Sequence, residues 1–143
     1  MKFPERVTDP EEQQRGRNWR WLTVLLALAV SVTIAFSQRP PVRIRFARGA
    51  DSVMLEGSVM RGERDRYLVK ARARQVMTVS LTSAEDNAVF QIYRPGGRKT
   101  LAGAGEGEDA RTWSGKLPMS GDYLIVVGGT RGNASYKLEV KIR

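Results

Sequence analysis

Cysteine and histidine are both missing from this chain of 143 residues. Without cysteine there is no disulfide, no iron–sulfur cluster and no thiol nucleophile. The same absence is silent on compartment, because an exported domain of this size folds without a staple. Without histidine the commonest general base and the commonest metal ligand are gone. Ser–His–Asp and Cys–His catalysis are excluded, and so is an ordinary zinc site. A helical period is also lacking from Val42 onward, which excludes an α-rich domain there. What remains, 41% hydrophobic and 27% charged residues, is enough for one domain and too apolar for a disordered chain.

Acid is scarce relative to base: the formal net charge is +9. From Asp51 onward, 15 Lys/Arg stand against 11 Asp/Glu, a net of +4, and residues 37–50 add four arginines with no acid. The basic residues alternate with apolar ones, as in Val42-Arg-Ile-Arg-Phe46 and Tyr136-Lys-Leu-Glu-Val-Lys-Ile142. That is the pattern of solvated strand faces, and no nucleic-acid partner is expected.

One long uncharged run exists, the 16 residues from Trp21 to Phe36. As a helix it would be about 24 Å long, short for a bilayer core of about 30 Å and close to a signal-peptide core. Arg15, Arg17 and Arg20 precede it, and Ala35-Phe-Ser37 offers small residues for a signal peptidase. Against simple cleavage stand Glu5, Asp9, Glu11 and Glu12 in a long leader, and positive charge on both flanks. Residues 1–37 therefore read as a signal peptide or an uncleaved membrane anchor, residues 38–41 as a proline-rich linker, and residues 42–143 as the exported domain. Either alternative places that domain in the periplasm or outside the inner membrane of a bacterial envelope.

Short alternating runs separated by turn residues predict an all-β fold, an antiparallel sandwich of about eight strands. Val42, Ile44 and Phe46 alternate with arginines; Met54–Val59 follows, with Gly57 read as a bulge. Tyr67–Ala71, Val76–Leu81 and Ala88–Tyr93 come next, and Trp113 heads a short strand as a core aromatic. Tyr123–Val127 is apolar enough for a central strand, and the last strand turns Tyr136, Leu138, Val140 and Ile142 inward. Between two of these runs lies Leu117-Pro-Met-Ser-Gly-Asp-Tyr123, whose Ser120-Gly-Asp122 has turn chemistry.

The order of these residues resembles the periplasmic inhibitors of g-type lysozyme. The likeness runs from the basic strand ending in Phe46 through Gly57-Ser-Val59, Tyr67, Ala71, Val76–Leu81 and Leu117–Tyr123 to Val126, Thr130-Arg131, Ala134, Tyr136 and Val140-Lys-Ile142. It covers Val42 to Arg143 and is shared more widely with β-sandwich modules similar to bacterial pre-peptidase C-terminal domains. Its most specific element is Ser-Gly-x-Tyr at Ser120–Tyr123. The resemblance implies a non-enzymatic protein without cofactor or metal, whose partner is a g-type lysozyme and whose loop enters the active-site cleft. It implies that Ser120 hydrogen-bonds near a catalytic carboxylate and that Gly121 allows close backbone approach. Tyr123 would brace the loop or pack on the cleft wall, and Arg131 would bring positive charge. The variable position of the motif can be basic in that family and is Asp122 here. Either Asp122 turns back to cap its own turn or inhibition is lost. On this reading Ser120→Ala with Tyr123→Ala abolishes inhibition without lowering the melting temperature. The alternative is a non-catalytic module binding envelope protein or carbohydrate.

Leu101-Ala-Gly-Ala-Gly-Glu-Gly-Glu-Asp109 has glycines spaced like a phosphate loop but no helix after it, so it reads as a flexible surface loop. Glu106, Glu108 and Asp109, or Glu85 and Asp86, match no defined calcium loop.

Overall fold

Period-2 alternation becomes eight strands in the computed structural model, which describes residues 39–143. In chain order they are β1 (Val42–Arg43), β2 (Ser52–Val59), β3 (Arg64–Ala71), β4 (Val76–Ser83), β5 (Ala88–Tyr93), β6 (Thr112–Lys116), β7 (Gly121–Gly129) and β8 (Ala134–Ile142). They make two four-stranded sheets, ordered β1-β3-β7-β5 and β2-β8-β4-β6. The pairings are antiparallel except at one edge, where β1 runs parallel to β3 with Val42 opposite Tyr67. The Trp21–Phe36 segment lies outside the described residues. The arginine-rich first strand is shorter than its alternation predicts: pairing stops at Arg43, although Ile44 still donates to Leu68 O and is buried.

The core lies between the sheets. β8 alternates buried Ala134, Tyr136, Leu138 and Val140 with exposed Ser135, Lys137 and Glu139, so its apolar face meets Met77, Val79 and Leu81 of β4 and the inner residues of β7. Tyr123, Phe90, Met77, Ile92, Leu117 and Ile125 are among the largest fully buried side chains. Each contributes about 1.5–3 kcal/mol by leaving water. Trp113 packs partly buried against this core, and its indole donates to Ala102 O at 2.9 Å. The glycine-rich segment is pinned rather than loose at its start, since Leu101 and Ala104 are buried and both bond the backbone of Ile92.

Gly57 is not a bulge. It stands in regular register opposite Tyr136, and a Cβ there would lie 2.6 Å from that ring's Cζ. Glycine is needed because the Tyr136 ring passes directly over the β2 backbone. The ring's hydroxyl donates to Asp65 Oδ2 at 2.6 Å and lies 2.7 Å from the Tyr67 hydroxyl. Tyr136 has one proton and gives it to Asp65, so Tyr67 is the donor between the two phenols. Arg39, where the described chain begins, reaches Glu63 at 3.1 Å and Asp65 at 3.5 Å.

The register gives the sandwich two distinct ends. One, the base, gathers residues 39–41 and the turns 60–63, 84–87 and 130–133. The other, the loop end, gathers segments 44–51, 72–75, 94–99 and 117–120 together with the carboxy terminus.

Candidate functional site

The loop that joins β6 to β7 is fastened on every side. Leu117 at its start is buried, donates to Gln75 O and accepts from Arg74 N, both at 2.8 Å. Three residues on, Ser120 Oγ accepts from Ala73 N at 2.9 Å, which ties the loop a second time to the 72–75 turn. The Tyr123 ring is fully buried. Its hydroxyl donates to Met119 O at 2.6 Å and accepts from Met119 N at 3.3 Å. A phenol below the loop thus holds the backbone of its tip from inside. Gly121 has φ +146 and sits against Pro95, where an added Cβ would come within 2.7 Å of the ring. Glycine therefore serves both a backbone shape and a contact with the 94–99 turn. Gly121→Ala is expected to cost about 1–3 kcal/mol by overpacking, read as a drop in thermal midpoint.

Asp122 neither caps its turn nor points free. It makes a two-pronged ion pair with Arg43 across the outer face of the first sheet, at 2.8 and 2.9 Å. Hydrogen bonding to that guanidinium holds the Asp122 carboxyl below the usual carboxylate range. The negative charge is matched within the domain and is not left to oppose an acidic partner.

These contacts decide what the loop can offer. Tyr123 is committed and unreachable, so of its two expected roles the brace is the one its geometry allows. Pro118, Met119 and Ser120 are exposed, with Met119 at 44%. The Ser120 oxygen accepts from Ala73, which leaves its proton available to donate outward. The tip therefore presents a soft apolar side chain beside a hydroxyl donor on a backbone that is already ordered. Arg131 is not part of this group. It lies in the β7–β8 turn at the base, where its guanidinium donates to Glu85 O at 3.4 Å. From Gly121 to Gly129 the intervening strand spans about 26 Å at ~3.3 Å per residue. The structure gathers Ser120, Gly121, Asp122 and Tyr123, and it puts Arg72, Ala73 and Arg74 beside them in place of Arg131.

The acidic segments turn to local partners. Glu108 accepts from Gly105 N at 2.6 Å, and Asp86 pairs with Arg111 at 2.9 Å. Among the described residues no three carboxylates gather into a group that could hold a metal ion.

No protein-family model and no curated protein matches the chain. Solved structures do. The chain is 32% identical to PliG of Aeromonas hydrophila, a periplasmic lysozyme inhibitor of g-type lysozyme, over 74% of this chain and 98% of that one, with a TM-score of 0.62. Salmonella Typhimurium PliG aligns with 21% identity over 74% of this chain and 100% of its own, at a TM-score of 0.60. The pre-peptidase C-terminal domain of a Bacillus anthracis collagenase follows at 18% identity, covering 73% of this chain and 99% of that domain, with a TM-score of 0.54. The last two likenesses speak to fold alone.

Proposed function

Because the chain belongs to the family of periplasmic inhibitors of g-type lysozyme, we propose that it binds and inhibits a g-type lysozyme without catalysing a reaction of its own. The inhibitory element is the tip Pro118-Met119-Ser120, inserted into the cleft of the enzyme. The observation that carries this reading is the fourfold fastening of the loop by Leu117, Ser120, Tyr123 and Gly121. An ordered loop enters a cleft at little further entropic cost, which is what a plug requires. Ser120 donates to an acceptor in the cleft, where glycosidases keep carboxylates. Met119 fills apolar space beside it, and the Arg43 ion pair keeps Asp122 from repelling those carboxylates. The domain acts in the periplasm, delivered by residues 1–37 as a signal peptide or held at the inner membrane by them.

The test is cell-wall lysis by a g-type and a c-type lysozyme in the presence of the purified protein. Selective loss of g-type activity is expected. Ser120→Ala with Met119→Ala should weaken inhibition at least tenfold, about 1.4 kcal/mol, with the thermal midpoint only slightly lowered, because Met119 faces solvent and Ser120 gives up one exposed hydrogen bond, that from Ala73 N. Equal inhibition by that variant would reject the tip as the plug. No effect of the parent protein on either enzyme would reject the inhibitor reading and favour the envelope module.

A further inference from the structure

Charge is not spread evenly over the two ends of the sandwich. The four segments at the loop end, residues 44–51, 72–75, 94–99 and 117–120, contain Arg45, Arg48, Arg72, Arg74, Arg94, Arg98 and Lys99 against a single acid, Asp51. That acid is already bound by Arg143 at 2.8 Å, with Lys141 at 3.9 Å. At the base, by contrast, Arg39, Arg61 and Arg131 are balanced by Glu63, Glu85 and Asp86. The domain is therefore polarised along its strands, with its cationic end surrounding the tip of the β6–β7 loop.

Within this collar Arg72 and Arg74 stand out by position. The bond from Ala73 N to Ser120 Oγ places them on either side of the residue that meets Ser120. Both are exposed, and among the described residues neither guanidinium has an ion-pair partner. Arg74 is also held at φ 73, the left-handed region that glycine occupies freely and a branched-out side chain does not. Its amide is bound to Leu117 O in that conformation. The turn needs the shape, and glycine would supply it with less strain, yet the position carries a long cation. Strain kept at the rim of a candidate site points to a use for the side chain that bears it.

Taking the inhibitor reading as given, the geometry points to Arg72 and Arg74 as the residues that recognise the acidic rim of the lysozyme cleft and steer the loop into it. The role the sequence resemblance gives to Arg131 falls instead to this pair. Steering of this kind acts mainly on the association rate and fades as salt screens it, while the tip sets dissociation.

The experiment measures association and dissociation rates of the full chain with a g-type lysozyme at low and high ionic strength. Three proteins are compared: the parent, Arg72→Gln with Arg74→Gly, and Arg61→Gln with Arg131→Gln as a control of equal charge change at the base. The parent's association rate should fall about tenfold or more with salt. The collar variant should associate about tenfold more slowly at low salt and lose most of the salt dependence, with its dissociation rate little changed. The base variant should behave as the parent. Arg74→Gly alone should raise the thermal midpoint by about 2–5 °C, which separates lost steering from lost folding. A collar variant with the parent's rate and salt slope would overturn the assignment while leaving the inhibitor intact. Equal slowing by the base variant would also overturn it, reducing the effect to net charge. A parent that binds no lysozyme at any salt would sink the inhibitor reading, and the assignment with it.

Discussion

Tyr123→Ala should lower stability by about 3–5 kcal/mol, because it empties a fully buried aromatic site in the middle of the core. Tyr123→Phe should be far milder for the fold, about 1–2 kcal/mol, and far more informative about the loop. It keeps the ring and removes only the hydroxyl that donates to Met119 O and accepts from Met119 N. The tip then has one fastening fewer, and the entropy of ordering it must be supplied on binding. Inhibition of the g-type enzyme should weaken about tenfold, about 1.4 kcal/mol, with far-ultraviolet dichroism unchanged. Urea unfolding and the lysis assay, run on both variants, check this. The alanine variant is thus no clean probe of inhibition, contrary to the expectation from the motif alone: the side chain is core first and brace second. A phenylalanine variant as potent as the parent would mean that the other three fastenings hold the tip unaided.

Tyr136→Phe should destabilise the domain by about 1–3 kcal/mol at neutral pH. The lost hydroxyl leaves Asp65 Oδ2 without its 2.6 Å donor and Tyr67 without its acceptor at 2.7 Å. A pH dependence follows from the same cluster. Burial first, then the hydrogen bond to Asp65, raises the Tyr136 phenol above its ordinary value, and burial raises Tyr67 as well. A phenol raised in the folded state stabilises fully below its unfolded value, near pH ~10, and that stabilisation is lost as pH rises beyond it. The parent should therefore lose stability steeply above pH ~10, and Tyr136→Phe should flatten that limb. Unfolding midpoints measured from neutral to strongly alkaline pH test this. An unchanged limb would place the alkaline transition outside this phenol–carboxylate cluster.

Much of the fold was legible as pattern. The alternation of Tyr136, Leu138 and Val140 with Lys137, Glu139 and Lys141 determines which face of β8 is buried whatever its neighbours are, and Ala88–Tyr93 is bounded by its own turn residues. What failed to show was whatever depends on a distant partner. Gly57 looks like a bulge until the Tyr136 ring is seen across it, 79 positions along the chain. Arg43 looks like one more solvated cation until Asp122 is found against it, also 79 residues away. The candidate site divides the same way. Ser120-Gly-Asp122 announces a turn by its chemistry, but the bond from Ala73, 47 residues upstream, is what makes that turn rigid. Arg131 looks near Tyr123 in sequence, yet an extended strand carries it the full length of the domain. The strand count could have signalled this, because residues separated by one whole strand sit at opposite ends.

Both termini of the described chain have fixed places, and this bears on how the protein can be handled. Arg39 is held by Glu63 and Asp65 at the base, whereas Arg143 is held by Asp51 at the end that carries the loop. A tag, fluorophore or resin joined directly to residue 39 in place of residues 1–38 would start at the base, away from the proposed contact face, and leave that face open to a macromolecule in solution. The same attachment after Arg143 would stand beside that face and shield it. Two fusions of identical composition, one at each terminus, should therefore differ as capture reagents, and the difference would report the direction of approach without a single substitution.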